Sequence, residues 1–234
     1  MAILKRGFLQ SGPLARAYRK ILHSFFANDL WIELRLHAKR EAVEYVLSHM
    51  QDAVVREDRL DLLGFALSRA PSEGLVLEFG VERGASLRHL AALTPRTVHG
   101  FDSFQGLPHD WSGTKEVRGA FNRRGRLPRV PANATLHVGW FEATLPAFLA
   151  ATAPAPCALI HVDCDLYEST VTIFTHLAAR IRPGTVIVFD EYFNYPGWRQ
   201  HEYKAFQEFI GHSGLRYRYL ALAAEKGHVA VQMI

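Results

Sequence analysis

The sequence predicts an α/β domain: a mostly parallel sheet covered by helices on both faces, with an antiparallel hairpin at its C-terminal edge. Three observations predict it. Short apolar runs alternate with segments of helical periodicity, which implies right-handed crossovers and parallel strands. Four of the runs end in an acid, at Glu78, Asp102, Asp163 and Asp190, as strands opening onto a polar site would. After Gly214 the alternation stops, and two strand-like segments flank Glu225-Lys226-Gly227, a hairpin signal.

The elements follow in order. Leu60, Leu63, Leu67 and Ala70 form a helical stripe that stops before Pro71. Residues 74–78 (GLVLE) read as a first buried strand, and 84–93 as its helix. Residues 97–102 (TVHGFD) are the second strand and 136–138 a short third. A helix around 144–151 is expected next, with Pro146 in its first turn, where proline is tolerated. Residues 158–163 (ALIHVD) are the fourth strand, and Thr170, Phe174, Leu177 and Ile181 stripe the next helix. Residues 184–190 (GTVIVFD) are the fifth. A helix around 202–210 precedes the two hairpin strands, 215–222 and 228–234. The 103–132 segment has little apolar periodicity and carries Arg118, Arg123, Arg124, Arg126 and Arg129. Loops this long inside a domain are usually functional. An anion clamp and a solvated basic loop are both open readings.

Composition narrows the function classes. The chain has 234 residues, 49% hydrophobic and 21% charged, which fits a globular domain able to bury its own core. Its net charge is +4, too dilute for a dedicated nucleic-acid binder. The two cysteines, Cys157 and Cys164, form no CxxC, so neither a zinc knuckle nor a disulfide scaffold is expected, and a reducing, cytoplasmic compartment is. No apolar stretch suits a membrane span, and residues 10–13 interrupt any signal-peptide core. The first residues are basic, and Leu14, Ala17, Tyr18, Ile21, Leu22 and Phe25 fall at helical spacing. This helix is expected to pack on the domain or on a second copy, giving a homodimer; weak contact with a membrane surface is the alternative.

The acid-tipped strands carry the chemistry. Between the first strand and its helix lies Glu78-Phe-Gly80-Val-Glu82-Arg-Gly84-Ala-Ser86. Its glycines permit a sharp turn and close ligand approach, and a helix N-terminus offers free N–H groups. It is not GxGxxG, and Glu78 and Glu82 would repel a diphosphate, so a nicotinamide dehydrogenase is disfavoured and a cationic nucleoside fits better. Asp102 stands where doubly wound folds place the carboxylate that holds ribose hydroxyls. Asp163, Asp165, Asp190 and Glu191 follow the fourth and fifth strands. If those strands are neighbours, their ends lie about 5 Å apart. Four converging carboxylates call for a cation or a shared proton, and oxygen-only ligands favour magnesium, manganese or calcium. His161 reads as a core histidine more readily than as a catalytic one. Trp140, Phe141, Tyr192, Phe193, Tyr195 and Trp198 serve either stacking or packing.

The ordered series ExGxxxGxS at 78–86, GFDSFQGLP at 100–108, GWFEATLP at 139–146, HVDCDLYES at 161–169 and the Asp190-Glu191 strand end resembles the macrocin O-methyltransferase family. These are Rossmann-like, class I, S-adenosylmethionine-dependent enzymes acting on antibiotic sugars. The resemblance covers residues 55–234, implying a methyltransferase domain there and a helical appendage at 1–54. It further implies a seven-stranded sheet of order 3-2-1-4-5-7-6.

Carried over by residue, it implies that Glu78, Gly80, Gly84 and Ser86 serve the methionine part of the cofactor. Asp102 with Ser103 would hold the ribose, and Trp140 would lie by the adenine. Asp163, Asp190 and Glu191 would ligate magnesium, and Asp165 would take the proton from the acceptor hydroxyl. The family usually shows paired aspartates after strand five, so Glu191 is a departure. The aromatic segment 192–209 is another, and it leaves the acceptor open among sugars, glycans and other small hydroxylated metabolites. Methylation of nitrogen or nucleic acid through the 118–129 arginines, and a non-catalytic cofactor-binding partner, are the alternatives.

Overall fold

The computed structural model describes residues 29–223 and 225–234, together with Arg16, Ala17 and Lys20. Of the expected stripe from Leu14 to Phe25, only Ala17 is described. The elements run α1 (Leu30–His49), β1 (Val54–Arg56), α2 (Arg59–Arg69), β2 (Leu75–Phe79), α3 (Ala85–Leu93), β3 (Val98–Asp102) and β4 (Ala134–Val138). They continue with α4 (Phe141–Ala151), β5 (Cys157–Val162), α5 (Tyr167–Leu177), β6 (Val186–Phe189), α6 (Glu202–Ser213), β7 (Tyr217–Ala223) and β8 (Val229–Met233).

Eight strands form one sheet in the order β1-β7-β8-β6-β5-β2-β3-β4. Only β8 runs antiparallel to its neighbours β6 and β7. Seven of the strands reproduce the expected order. The eighth, β1, was not anticipated; it adds to the outer edge in parallel with β7, pairing Val54 with Ala221. Three residues bounded by polar chain gave no pattern to read.

The central strands β2, β5 and β6 are buried along their whole length, which is why they read as unbroken apolar runs. Alternate side chains divide between two faces. Val76, Val98, Leu159, Val186 and Val188 meet Leu62, Leu63 and Ala66 of α2 and Leu87 and Leu90 of α3. Leu77, Phe79, Phe101, Ile160, Val162, Ile187 and Phe189 meet the opposite layer, which includes Phe148 of α4, Phe174 of α5 and Phe206 of α6.

Helix α1 joins that second layer. Asp29 caps it by accepting the Trp31 N–H (2.9 Å). Ala38, Ala42 and Tyr45 are buried, and the Tyr45 ring stands edge-on to Trp198 and Tyr203. Helix α4 corrects the reading of residues 144–151: it begins at Phe141, so Pro146 lies in the second turn rather than the first. Among the described residues no helix is long and apolar enough to cross a membrane.

The 103–132 segment has no strand or helix but is held by its own packing. Leu107 and Trp111 cluster with Leu166, and the Trp111 ring stands edge-on to Tyr195 at 5.3 Å. The Leu107 N–H donates to the Ala120 carbonyl (3.0 Å) and the Gly119 N–H back to the Leu107 carbonyl (2.9 Å), folding the segment on itself.

Candidate active site

Because β2, β3, β5 and β6 are parallel, their C-terminal ends open on one side of the sheet. A cavity of about 660 Å³ lies there, bordered by Arg59, Gly80, Asp102, Ser103, Trp140, Phe141, Asp163, Asp165, Asp190 and Glu191 among others. The 103–132 segment supplies Leu107, Pro108, His109, Trp111 and Phe121 to its wall. None of the five loop arginines borders it. Of the aromatic residues, Trp140 and Phe141 face the cavity, whereas Tyr192, Phe193 and Trp198 are core.

The turn after β2 is fixed by geometry. Gly80 has φ +91°, and a Cβ there would stand 1.7 Å from the Asp163 carbonyl oxygen. No other residue fits where the ends of β2 and β5 press together. Asp102 organises the same turn: one carboxylate oxygen accepts the Val81 and Glu82 N–H groups (2.8 Å each), and the other accepts from Phe104 N–H (2.6 Å).

Glu78 and Ser86 do not border the cavity. They lie beneath it: Ser86 Oγ donates to Glu78 Oε1 (3.1 Å), and His161 Nδ1 lies 3.1 Å from Glu78 Oε2. Gly84 caps α3 in the left-handed region, also away from the cavity. The seven residues expected at a cofactor thus divide into four on the wall and three behind it.

The acidic cluster has more partners than the sequence disclosed. Arg59, the first residue of α2, places Nη1 3.2 Å from Asp163 Oδ2 and 3.2 Å from Asp190 Oδ2. The other Asp190 oxygen lies 3.0 Å from His228 Nδ1 and 3.6 Å from His161 Nε2. Burial raises the Asp190 carboxyl, but the two histidines outweigh it and hold the group below the usual carboxylate range. Burial would lower His161, yet the neighbouring Asp190 and Glu78 carboxylates carry it to about 10. It lies buried between two carboxylates.

Asp165 is buried with φ +66°, a left-handed conformation uncommon outside glycine. Glu202, at the start of α6 and with no exposed surface, holds it there. Its Oε1 accepts the Asp165 N–H (3.2 Å) and the Cys164 N–H (3.4 Å), and its Oε2 accepts the Glu191 N–H (3.1 Å). Burial, then the Asp190 charge, pushes the Asp165 carboxyl up to about 7. Burial, then Asp165, pushes Glu202 up to about 8. Burial and Asp190 likewise hold Asp163 and Glu191 well above their ordinary values.

Two donor groups overlap at Asp163. Asp163, Asp165 and Glu191 each bring an oxygen within 4.8 Å of the others, as do His161, Asp163 and Asp190. Glu191 Oε2 is buried and has no hydrogen-bond partner. An all-oxygen set with an orphaned carboxylate oxygen fits a hard divalent cation. The expected trio of Asp163, Asp190 and Glu191 is divided between these two groups, which share Asp163.

Arg59, Glu202 and His228 are the site residues that the sequence reading missed. Only His228 left a signal. In an antiparallel β8 beside β6, the residue before Val229 must lie by the end of β6, since Val229 pairs with Phe189.

The chain is similar to known proteins in sequence and in fold. Residues 77–192 match a family described as "Methyltransferase domain". The 8-demethyl-8-(2,3-dimethoxy-alpha-L-rhamnosyl)-tetracenomycin-C 4'-O-methyltransferase of Streptomyces olivaceus is 31% identical over 164 residues, covering 57% of this chain and 60% of the relative. The mycinamicin III 3''-O-methyltransferase of Micromonospora griseorubida is 29% identical over 180 residues, covering 62% and 67%. The match thus spans only 60% of the length of the first of these relatives. Among solved structures, the calicheamicin methyltransferase CalS11 superposes with a TM-score of 0.59 at 23% identity over 99% of this chain and 97% of its own. The O-methyltransferase NovP gives 0.53 at 24% identity over 74% and 78%. At such identities these structures establish the shared fold.

Proposed function

We propose that the chain is an S-adenosylmethionine-dependent O-methyltransferase, a reading supported by the match of its residues 77–192 to a methyltransferase-domain family. Its acceptor is a hydroxyl of a sugar, glycan or other small hydroxylated metabolite. The observation that carries this reading is that Gly80, Asp102 and Trp140 border the same cavity as Asp163, Asp165 and Glu191. A cofactor turn and an acid cluster thus face one space. The O-methyltransferase names of the curated relatives support oxygen as the acceptor atom.

In this reading Asp102 fixes the 80–82 turn, and Trp140 offers its ring to the adenine. Gly80 lets the backbone lie flush against β5 beside the methionine part. Glu78 and Ser86 support the turn from behind. Asp165 accepts the proton of the acceptor hydroxyl; a buried carboxyl held near neutrality is suited to that exchange. When bound, S-adenosylmethionine would supply the methyl, its bond to sulfur breaking as the O–C bond forms, and a divalent ion, magnesium foremost, would acidify neighbouring hydroxyls. Asp163 and Glu191 would hold that ion. The walls align donor and acceptor.

The test is calorimetric titration with S-adenosylmethionine, followed by transfer of labelled methyl to a panel of sugars, nucleotide sugars and glycosides. Binding together with labelled ether product supports the reading. No binding at millimolar cofactor would refute it.

A further inference from the structure

Helix α1 is apolar on two opposite sides. Its inner side, with Ala38, Ala42 and Tyr45, is buried against the domain. Its outer side carries Leu36, Val43 and Leu47, which are 43%, 50% and 67% exposed. Together with Arg40 these residues follow the alternating four-and-three spacing of a helix–helix seam. A helix that is apolar all round is one that is covered all round. None of the four borders the cavity, so this seam is separate from the site.

The charges on the seam select its occupant. Arg40 and Glu44 form no ion pair with each other or with any other described residue. If two copies joined with their α1 helices parallel, Arg40 would face the partner's Arg40. Antiparallel pairing about a two-fold axis removes that clash. Leu36 then meets the partner's Leu47, and Arg40 meets the partner's Val43, since both pairs are centred on one point of the helix. Glu44, four residues after Arg40, lies on the same flank of the seam. The two-fold axis sets each Arg40 beside the partner's Glu44, so the complementary pair is made twice.

We propose that the outer face of α1 is a docking surface for a second copy of this chain, its own α1 laid antiparallel along the Leu36-Arg40-Val43-Leu47 seam. The contact is isologous: one stripe supplies both halves of the apolar layer and both members of each ion pair. Burial of the three exposed apolar side chains drives association, and Arg40 with Glu44 fixes direction and register.

The test is sedimentation velocity of the full chain at tens of micromolar, with and without phosphatidylglycerol vesicles. The natural sequence is expected to sediment as two chains. Leu47→Glu, at an exposed position, should sediment as one chain and still melt cooperatively. Arg40→Glu should weaken association at least tenfold, and Arg40→Glu with Glu44→Arg should return to within threefold of the natural sequence. Leu36→Cys combined with Leu47→Cys should oxidise to a covalent pair of chains, whereas neither single variant should. These two positions are about 16 Å apart along one helix, beyond the reach of a disulfide within the chain.

A natural sequence that sediments as one chain overturns the inference. The face then falls to residues 1–28 of the same chain or, if that single chain travels with the vesicles, to a membrane surface. A dimer that Leu47→Glu leaves intact overturns it as well, as does crosslinking by Leu36→Cys alone, which reports parallel helices. Should Leu47→Glu not fold, the charge variants decide: association unmoved by Arg40→Glu, or not rescued by Glu44→Arg, overturns the seam.

Discussion

A Cβ atom on Gly80 would stand 1.7 Å from the carbonyl oxygen of Asp163, so the turn after β2 and the acid after β5 are one steric unit. The Asp163 N–H donates to the Phe79 carbonyl (2.8 Å), and the Gly80 N–H to the Phe101 carbonyl (2.9 Å). The cofactor side and the acidic side of the cavity cannot move independently here. Gly80→Ala should therefore damage both. The positive φ alone costs about 1–3 kcal/mol, before the backbone clash is counted. Urea unfolding should show at least that loss, and calorimetry should show cofactor affinity lowered more than tenfold. A Gly80→Ala protein with natural stability and affinity would refute this account of the turn.

Asp165→Asn should leave cofactor affinity within about threefold and lower methyl transfer by about 10²–10⁴-fold, the usual contribution of a general base. The substitution is isosteric and keeps the backbone N–H that Glu202 holds. Full turnover with any acceptor the sugar panel yields would remove Asp165 from the role of base.

Glu202 ties the segments after β5 and β6 to α6 through three backbone N–H groups. Glu202→Ala would orphan these donors in a buried place, at about 1–3 kcal/mol for each that water cannot reach. Amide hydrogen exchange at Cys164, Asp165 and Glu191 should accelerate well before exchange in β5 does. Unchanged protection at those three amides would show that the segments hold themselves.

On the far side of the sheet, His99 Nδ1 lies 3.2 Å from His137 Nε2, and burial first, then the His137 charge, holds His99 down at about 4. An unfolded histidine titrates near 6.5. Between those values the unfolded chain binds a proton that the folded chain refuses, so stability is greatest above about pH 6.5 and falls as pH drops toward 4. The full shift would correspond to about 3 kcal/mol, and solvent screening of a half-exposed ring reduces this to about 1–2 kcal/mol. His99→Phe should retain the tilted ring contact with Phe148 and flatten this part of the stability profile. Parallel profiles for the two proteins between pH 7 and 4 would refute it.

How much of this was legible follows from where the determinants lie. Buried parallel strands disclose themselves as apolar runs, and each run's terminal acid marks its open end, so Asp102, Asp163 and Asp190 could be placed in advance. Contacts between distant segments left no local trace. Arg59 looks like any first-turn helix residue, and only the crossing of α2 over β6 and its neighbours β7 and β8 brings it to the acids. Glu202 sat in an aromatic stretch whose helix start was visible but whose direction was not. Glu78 and Ser86 were grouped in sequence with Gly80, yet the strand buries Glu78 beneath the cavity, and Ser86, in the first turn of α3, bonds to it there. Pro146 misled in the other direction, because tertiary packing carried the helix start back to Phe141.

Helix α1 is joined to the sheet by a buried group of tyrosines. Tyr45 and Tyr219 hydroxyls are 2.7 Å apart, Tyr219 and Tyr192 hydroxyls 2.8 Å, and Gln207 Nε2 donates to the hydroxyls of Tyr192 (3.1 Å) and Tyr217 (3.0 Å). Tyr45→Phe keeps the ring against Trp198 and Tyr203 and removes one hydroxyl, while Tyr219 retains Tyr192 and Tyr217 as partners. That change should cost about 0.5–1.5 kcal/mol. Tyr45→Ala also removes the ring from a packed aromatic layer and should cost about 3–5 kcal/mol. If α1 is a dispensable appendage, both variants will melt with the natural protein. If it completes the layer over β6 and β8, Tyr45→Ala will melt well below Tyr45→Phe, and a single transition will report the helix and the sheet together.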